Sequence, residues 1–415
     1  MYADVEGACR RQESLLNSCT IVIIGGGPAG ALTAANLAQA GREVFLFEER
    51  LRWEKPCGGG ITHKALLKWP FLREAEIQRN WVRECELIAP SGKRIVFSLD
   101  PPVAIFSRRV LNCFLLQRAR ASGAIILNER VCRIAQRGKS WCIETGSRTI
   151  DAHYLILACG ARNPFRKQLT QAFTPEDLMA TAGYYIPGQS HSMQIRFVAG
   201  LHGYIWVFPR ADHFSAGICG RLKHQSTAGL RRLLESWLPR LGLNFHGGTF
   251  YSHILPSLRL STLREVAVSG NGWAMIGDAA GFVDPITGEG LYYALRSAEL
   301  LSQALLENSP ESYVARMRQD FLPELETAAR MAERFYSGPW MGRAVIERMI
   351  QFTKNSRSFR EVMQGMFAGT QSYTDLRWRL YRSLPIMLAE TLASALQVPS
   401  RSRASEPDSS AEAAG

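Results

Sequence analysis

The N-terminal part of the chain alternates between apolar runs and a glycine-rich turn. Residues 20–24 form a continuous and mostly β-branched apolar run, which is typical of a strand buried on both faces. Glycine-rich residues 25–30 follow, and an Ala- and Leu-rich segment then runs to Gly41, which predicts a helix with a glycine stop. A second apolar run, residues 43–47, ends at Glu48. The pattern predicts a β-α-β unit.

Two further stretches carry strand patterns. Residues 273–276 are apolar and lead through glycine-rich residues 277–290 into a helix whose apolar positions recur on one face. Tyr204, Trp206 and Phe208 alternate along a second predicted strand, so all three side chains project from one face. Such alternation is also typical of plain core packing. Residues 214–219 predict the next antiparallel strand.

These patterns predict a mixed α/β fold class, with a Rossmann-like domain, an antiparallel β-sheet domain for the substrate and a C-terminal helical region. Pro310, the pair Gly338-Pro339, and Pro385 are expected to interrupt the helices. Residues 1–17 are expected to be a loose extension. The predicted boundaries are 18–165 with 265–305 for the Rossmann-like domain, 166–264 for the β-sheet domain, 306–395 for the helical region and 396–415 for a disordered tail.

Composition and charge narrow the class of protein. Of 415 residues, 46% are hydrophobic and 21% are charged, which excludes a wholly disordered chain. The net charge of +12 raises the expectation of an anionic partner, and basic residues cluster between Arg343 and Arg382. That cluster is either a solvated helical face or a surface for lipid or phosphate. Residues 1–18 lack the apolar core of a secretion signal, so we expect a cytoplasmic protein, with peripheral membrane contact left open.

The cysteines and histidines argue against a metal centre. The nine cysteines are scattered without a CxxC pair, which fits reduced thiols rather than a zinc ribbon or a thioredoxin-type redox pair. The eight histidines form no metal-ligand spacing, and no GxSxG nucleophile motif occurs. We therefore expect no metal.

The glycine-rich turn matches the GxGxxG dinucleotide fingerprint in its β-α-β setting. Gly25 permits the tight turn, Gly27 lets backbone N–H groups approach a pyrophosphate, and Gly30 lets helix and strand pack closely. A carboxylate at Glu48 suits ribose hydroxyls, which favours FAD or NAD over NADP. A merely structural glycine turn is the alternative. The predicted cofactor-binding residues of this unit are Gly25, Gly27, Pro28, Ala29, Gly30, Glu48 and Glu49.

A second segment decides for FAD. Asp278 follows the strand of residues 273–276, where its carboxylate suits the ribityl hydroxyls of a flavin. The glycine-rich helix entry at Gly288 and Gly290 aims a helix N-terminus at the pyrimidine edge of the ring. That partial positive charge favours a flavin used as a reductant. A capped helix after a turn is the alternative.

Together these segments resemble the flavin monooxygenase superfamily of the p-hydroxybenzoate hydroxylase type and, more closely, the geranylgeranyl reductase family. Three stretches carry the closer resemblance, namely residues 55–61 (KPCGGGI), 204–210 (YIWVFPR) and 277–290 (GDAAGFVDPITGEG). Cys159 stands where the superfamily usually has Asp, and Asn112 stands where the family has Asp. The resemblance spans roughly residues 18–390.

The resemblance implies an FAD-dependent oxidoreductase that transfers hydride from reduced flavin to an isoprenoid C=C bond, with NADPH or ferredoxin as the electron donor and no nucleic-acid partner. Such a site excludes water and provides an apolar tunnel. Gly58 and Gly59 allow backbone to lie against a planar ring, and the Cys57 thiol is a candidate proton donor. Cys57 as a small turn residue is the alternative. The predicted catalytic residues are Cys57, Tyr204, Trp206 and Phe208, and Arg108 is expected at the pyrophosphate or ribityl chain, with an exposed helix arginine as its alternative.

Three other functions stay open at this point. An aromatic hydroxylase or halogenase on the same scaffold uses O2, and halogenases typically carry WxWxIP where this chain has YxWxFP. A lycopene cyclase-like isomerase uses reduced flavin without net redox. A non-enzymatic nucleic-acid-binding protein has no recognisable module here.

Overall fold

The computed structural model describes residues 20–340 and 343–396. The expected extension at residues 1–17 lies outside the described residues, as does the expected tail apart from Leu396. The strands of the described residues are, in chain order, β1 (Ile21–Ile24), β2 (Val44–Phe47), β3 (Gly60–Ile61), β4 (Arg79–Ile88), β5 (Arg94–Phe106), β6 (Ile125–Leu127), β7 (Val131–Arg137), β8 (Ser140–Thr145), β9 (Thr149–Ala152), β10 (Tyr154–Leu157), β11 (Leu178–Pro187), β12 (Ser192–Arg196), β13 (Ile205–Pro209), β14 (His213–Arg221), β15 (Thr249–Pro256), β16 (Ser269–Gly270), β17 (Trp273–Met275), β18 (Pro339–Trp340) and β19 (Arg343–Ala344).

The α-helices of the same residues connect and cover these strands. Short 3-10 turns lie at Pro175–Asp177, Pro239–Leu241 and Gly277–Ala279. The helices are α1 (Pro28–Gln39), α2 (His63–Lys68), α3 (Phe71–Glu74), α4 (Arg108–Ala121), α5 (Arg166–Leu169), α6 (Thr227–Trp237), α7 (Leu260–Glu265), α8 (Leu291–Leu306), α9 (Ser312–Gln319), α10 (Leu322–Ser337), α11 (Val345–Asn355), α12 (Arg357–Ala368) and α13 (Tyr373–Leu396).

A mostly parallel sheet, with one antiparallel pair between β16 and β17, carries the glycine-rich turn. Its strand order is β16-β17-β10-β1-β2-β6, and β1 pairs in parallel with both β2 and β10. All four residues of β1 are buried, as the continuous apolar run predicts. Helices α1, α4 and α8 pack around this sheet, and the predicted Rossmann-like unit is confirmed. In this sheet β1 lies between β10 and β2, and the order of the strands along the chain reverses at β1. In such folds the carboxyl end of the strand at the reversal marks the ligand-binding crevice.

A larger, mostly antiparallel sheet forms the second layer. Its order is β15-β11-β14-β13-β12-β4-β5-β3, with only β12 and β4 parallel. The predicted antiparallel pair is present, because β13 and β14 place Trp206 opposite Gly217. The sheet also takes in β3, β4 and β5, which the sequence prediction assigned to the Rossmann-like domain. The difference arises because β4 pairs with β12, a partner more than a hundred residues away along the chain.

Five helices, α9 to α13, follow α8 and form the C-terminal region. The chain leaves helix between α8 and α9 at Pro310, and α10 ends at Ser337 before Gly338-Pro339, as predicted. The predicted break at Pro385 is wrong, because α13 continues through it. Pro385 is exposed, so water can satisfy the helix carbonyl group that its missing N–H leaves free. Among the described residues, every helix is too short or too polar to cross a bilayer.

Candidate active site

The end of β1 and the start of α1 meet in a turn that only glycine accommodates. Gly25 has a φ of +112°, and a Cβ there would lie 2.4 Å from the carbonyl oxygen of Ala158. A Cβ on Gly30 would lie 2.0 Å from the carbonyl oxygen of Gly25. Gly27 opens onto a cavity, with no heavy atom within 4 Å of its Cβ position. The helix N-terminus beside this opening is suited to a pyrophosphate.

Asp278 brings a half-buried negative charge to the same cavity. It follows β17, and its Oδ2 lies 2.7 Å from Nζ of Lys55. Burial alone would raise the pKa of Asp278, but the Lys55 ammonium overrides it and holds the pKa below its usual value. Arg108, only 3% exposed, also lines the cavity from the first turn of α4. Asp278 is therefore an ionised acceptor with two cations beside it.

His253 on β15 adds a ring nitrogen that has no partner in the described residues. Its Nε2 atom is buried without a hydrogen bond, and the side chain lines the cavity. Burial, reinforced by the Lys55 charge, lowers the pKa of His253 to about 3, so the imidazole is neutral. Buried polar atoms are nearly always paired in folded proteins, so this nitrogen is open to a hydrogen bond from a ligand in the cavity.

The residues present fit FAD. The cavity has a volume of about 800 Å³ and runs from Gly27 past Asp278 to the helix entry at Gly288 and Gly290. The glycine turn suits the pyrophosphate, Asp278 and Arg108 suit the ribityl chain, and the start of α8 suits the electron-rich edge of the ring. The orphaned nitrogen of His253 supplies a further polar partner. FAD is the cofactor of this chain.

A buried ion pair fixes the loop that carries Cys57. Arg210, which is fully buried, pairs with Oε1 of Glu54 at 2.6 Å and donates to the carbonyl oxygen of Cys57 at 2.7 Å. Ser215 donates to the same carbonyl at 2.9 Å. Glu54 also accepts from the backbone N–H of Arg108 at the start of α4, which ties this loop to the cofactor site. A charge network thus holds the loop in place.

The Cys57 thiol itself faces the cavity. Its Sγ accepts a hydrogen bond from the backbone N–H of Gly59 at 3.3 Å. Gly59 has a φ of +86°, and a Cβ there would lie 2.1 Å from the carbonyl oxygen of Phe106. The glycine run therefore lets the loop pass close to β5 and points an N–H group at the sulfur.

The three aromatic side chains predicted to share one face all line the cavity. Phe208 packs on the glycine loop, since a Cβ on Gly58 would lie 2.5 Å from its ring. The ring of Trp206 covers Gly217 in the same way, at 2.3 Å. Tyr204 lies edge-on to Trp206, with ring centroids 6.2 Å apart. The row forms a continuous aromatic wall beside the cofactor site.

Beyond this wall the cavity is mostly apolar. The large sheet contributes one side, and helices α10 to α13 contribute the other. Side chains typical of this chamber are Leu87, Met193, Ile195, Phe335, Met363 and Phe367. Flexible methionines in such a lining adapt to the shape of an apolar guest. The cofactor crevice and the apolar chamber are one continuous space.

Three tyrosines hold the loop of residues 284–290 that leads into α8. Tyr373 on α13 donates to Oδ2 of Asp284 at 2.8 Å. Tyr204 donates to the carbonyl of Thr287, and Tyr336 on α10 donates to the carbonyl of Ile286. The loop at the cofactor is therefore fastened by the aromatic wall and by two C-terminal helices.

Glu289 in this loop has a raised pKa. Burial, together with the nearby Asp284 charge, raises the pKa of Glu289 from 4.5 to about 7. Thr62 donates to its Oε1 at 3.3 Å. Glu289 lines the cavity, so a carboxyl group that is partly protonated at neutral pH faces the ligand space.

Most of the predicted site residues come together here. Arg108 is a buried wall residue rather than an exposed helix arginine. Glu48 accepts from the N–H of Gly26 at 2.7 Å, beside the glycine turn, whereas Glu49 forms ion pairs with Arg50 and Arg130 at the surface. The predicted residues that line the cavity are Gly27, Pro28, Ala29, Cys57, Gly58, Gly59, Arg108, Tyr204, Trp206, Phe208, Asp278, Gly288 and Gly290. Their individual roles stay predictions.

Cys159, which stands in place of the superfamily Asp, does not replace its charge. Burial raises the pKa of the Cys159 thiol to about 12, so it is neutral. Sequence reasoning missed several residues of the site, among them Glu54, Arg210, His253 and Tyr373. Arg210 had a signal, because a charged residue directly follows a buried aromatic strand, whereas the lone His253 had none.

Comparison with known proteins agrees with this geometry. Residues 19–177 match the family model of pyridine nucleotide-disulphide oxidoreductases. The chain is 29% identical over 321 residues to geranylgeranyl diphosphate reductase of Synechocystis sp., covering 70% of this chain and 75% of the relative.

Solved structures share the fold. A geranylgeranyl bacteriochlorophyll reductase-like protein from Thermoplasma acidophilum superimposes with a TM-score of 0.71 at 17% identity, covering 91% of this chain and 99% of the other. A flavin-dependent brominase superimposes with a TM-score of 0.64 at 18% identity, covering 86% and 94%. The predicted fold class, cofactor and oxidoreductase class are confirmed. By sequence and fold this chain is similar to proteins named geranylgeranyl reductase, and it is an FAD-dependent oxidoreductase.

Proposed function

We propose that this chain reduces C=C bonds of an isoprenoid chain by hydride transfer from reduced FAD. The observation that carries the proposal is the continuity of the cofactor crevice with the apolar chamber. An unactivated alkene offers no polar handle, so apolar lining is what positions it. The named activity of the Synechocystis relative supports the same substrate class.

The chain's own residues hold the cofactor loop in position and exclude water from the space next to the cofactor site. When bound and reduced, FAD supplies a hydride to one carbon of the double bond. The aromatic wall of Tyr204, Trp206 and Phe208 covers the space next to the cofactor site and keeps water from it. The tyrosine contacts to residues 284–290 hold the loop beside the cofactor in one arrangement.

Cys57 is the proposed proton donor to the second carbon. Its S–H bond breaks as the new C–H bond forms, and the thiolate later recovers a proton from solvent, so one hydride and one proton complete the saturation. The N–H of Gly59 directed at Sγ stabilises the thiolate that forms. Arg210 and Ser215 hold the Cys57 carbonyl and so keep the thiol at the cavity.

The electron donor is proposed to be NADPH or ferredoxin, and the protein is proposed to meet its apolar substrate at a membrane surface. The chamber lining supports the second point, because most of its side chains are apolar and the cation that α10 contributes, Arg334, is exposed to solvent. The head group of the substrate is therefore proposed to stay outside the chamber while the chain enters.

The test is an anaerobic single turnover. FAD-loaded protein is photoreduced without oxygen and mixed with geranylgeranyl diphosphate in detergent. The proposal expects flavin reoxidation together with a product that carries two additional hydrogens per flavin. A product that forms only when O2 is added indicates a hydroxylase or halogenase, and an isomer formed without reoxidation indicates a cyclase. Either outcome overturns the proposal.

A further inference from the structure

Helix α13 displays a large apolar face to solvent. Trp378 is 68% exposed, Tyr381 58%, Leu384 38% and Ile386 56%. Half of the exposed large hydrophobic side chains in residues 20–340 and 343–396 thus lie within nine consecutive positions of one helix. Soluble proteins rarely leave such a patch uncovered without a partner.

The opposite face of α13 is packed, so the exposed face is a true outer side. Tyr373, Leu376 and Met387 are buried against the other C-terminal helices and the large sheet. At 100° per residue, Trp378, Pro385 and Ile386 fall on the side away from them. The helix is therefore amphipathic in place, with aromatic and aliphatic groups facing outward.

The charges along this face are mainly positive, with one carboxylate at each end, Asp375 and Glu390. Residues 376–389 contain three arginines and no carboxylate. Arg379 and Arg382 are exposed, and Arg379 is held by Oε1 of Gln371 at 2.6 Å. An apolar face with Trp and Tyr, bordered by arginines, has the composition of a helix lying in the interface of an anionic bilayer.

The same helix forms the mouth of the apolar chamber. Tyr381 and Leu384 line the cavity and are also exposed, so the cavity reaches the surface at α13. Leu380 lines it from the inner side of the helix. An apolar chain that passes this mouth moves directly between the chamber and whatever covers the helix face.

We infer that the outer face of α13, defined by Trp378, Tyr381, Leu384 and Ile386, docks on an anionic lipid bilayer and opens the chamber to it. The inference rests on the proposed function, since the chamber would then receive an isoprenoid chain from the bilayer. Arg379 and Arg382 contact lipid phosphates, while the apolar face enters the region between head groups and acyl chains. The substrate head group stays at the interface.

The test is co-sedimentation of FAD-loaded full-length protein with lipid vesicles. Wild-type protein is expected to bind phosphatidylcholine vesicles containing about one-third phosphatidylglycerol, and to bind pure phosphatidylcholine vesicles about tenfold more weakly. The double variant Trp378→Glu/Ile386→Glu is expected to lose about tenfold or more of the binding to anionic vesicles. Retained FAD absorbance shows that the variant is folded.

The matched control is Leu67→Glu, which changes a helix residue that is also 56% exposed but lies on α2. It is expected to bind like wild type. Absence of wild-type binding to anionic vesicles, or equal binding by the double variant, overturns the inference. A wild-type dimer that the double variant converts to monomer assigns the face to a second copy of the chain and also overturns it. The assay needs no turnover, so its failure is distinct from failure of the proposed reaction.

Discussion

At the scale of the residue, the proposed role of the Cys57 thiol is the one that a single substitution tests most directly. Replacement by Ala removes the proposed proton donor while leaving the carbonyl that Arg210 and Ser215 hold. We expect Cys57→Ala to keep its FAD and to slow anaerobic alkene reduction by about 10²-fold, the usual worth of a positioned general acid. Cys132→Ala, at an exposed and distant thiol, serves as the control. Equal reoxidation rates in all three proteins would remove the thiol from the mechanism.

Glu289 makes the stability of the protein depend on pH. Folding raises its pKa from 4.5 to about 7, so its contribution to stability is complete below pH 4.5 and is lost as pH rises through about 7. Glu289→Gln should therefore increase the free energy of unfolding above pH 7 by on the order of 1 kcal/mol, discounted because the side chain is partly exposed. The difference should vanish near pH 4.5.

Denaturant unfolding of wild type and Glu289→Gln at both pH values measures this difference. Glu74→Gln, at an exposed glutamate on α3, is the control. If the free energies of unfolding of wild type and Glu289→Gln differed by the same amount at every pH, burial would not raise the pKa of Glu289. That result would contradict the prediction.

Single residues of the site were predictable where the backbone dictates the side chain. Gly25 and Gly30 were readable because a Cβ at either position meets a backbone oxygen, and such constraints leave a fixed spacing in the sequence. The roles of Arg210 and His253 were not readable, although Arg210 stands out by its place after a strand, because those roles depend on Glu54 and on the Lys55–Asp278 pair, which lie far away along the chain. Long-range charge pairing leaves no local pattern.

At the scale of the element, a side-chain hydrogen bond joins α13 to the loop of residues 284–290. Tyr373 donates the hydrogen bond that joins them, to a carboxyl group on Asp284 that is 4% exposed. Tyr373→Phe leaves this buried acceptor with one partner fewer, and should lower the free energy of unfolding by about 1–2 kcal/mol. It should also weaken FAD retention, because the loop borders the cofactor site.

Thermal unfolding and FAD release during dialysis check this expectation. Trp378→Phe, at an exposed position of the same helix, is the matched control and should change neither quantity. Unchanged FAD retention in Tyr373→Phe would mean that α13 does not support the cofactor loop.

Helices and strands were predicted well where the pattern lies in consecutive residues, and poorly where the element depends on pairing with a distant part of the chain. β1, α1 and β2 follow from consecutive runs, whereas β4 and β5 join the large sheet through a pairing with β12 that no local pattern marks. The predicted helix break at Pro385 was wrong because proline breaks buried helices more strictly than exposed ones, and α13 runs along the surface.

At the scale of the whole molecule, the large sheet and helices α10 to α13 enclose one chamber, and we expect its depth to set the length of the isoprenoid chain that it accepts. Met363 on α12 lines the apolar chamber, so Met363→Trp should fill part of it. We expect this variant to reduce a geranylgeranyl substrate about tenfold more slowly, since a misplaced reacting bond costs on the order of 1–2 kcal/mol or more, and to reduce a geranyl substrate normally. Comparison of the two chain lengths in one variant is its own control. Equal slowing of both would place the isoprenoid elsewhere.

The central claim is that an isoprenoid chain in the apolar chamber lies against the bound FAD. Titration of oxidised, FAD-loaded protein with a fully saturated isoprenoid alcohol, which cannot react, measures this contact through the visible absorbance of the flavin. The account predicts a saturable change with one ligand per flavin. Binding of the same radiolabelled alcohol without any change in the flavin spectrum would contradict it.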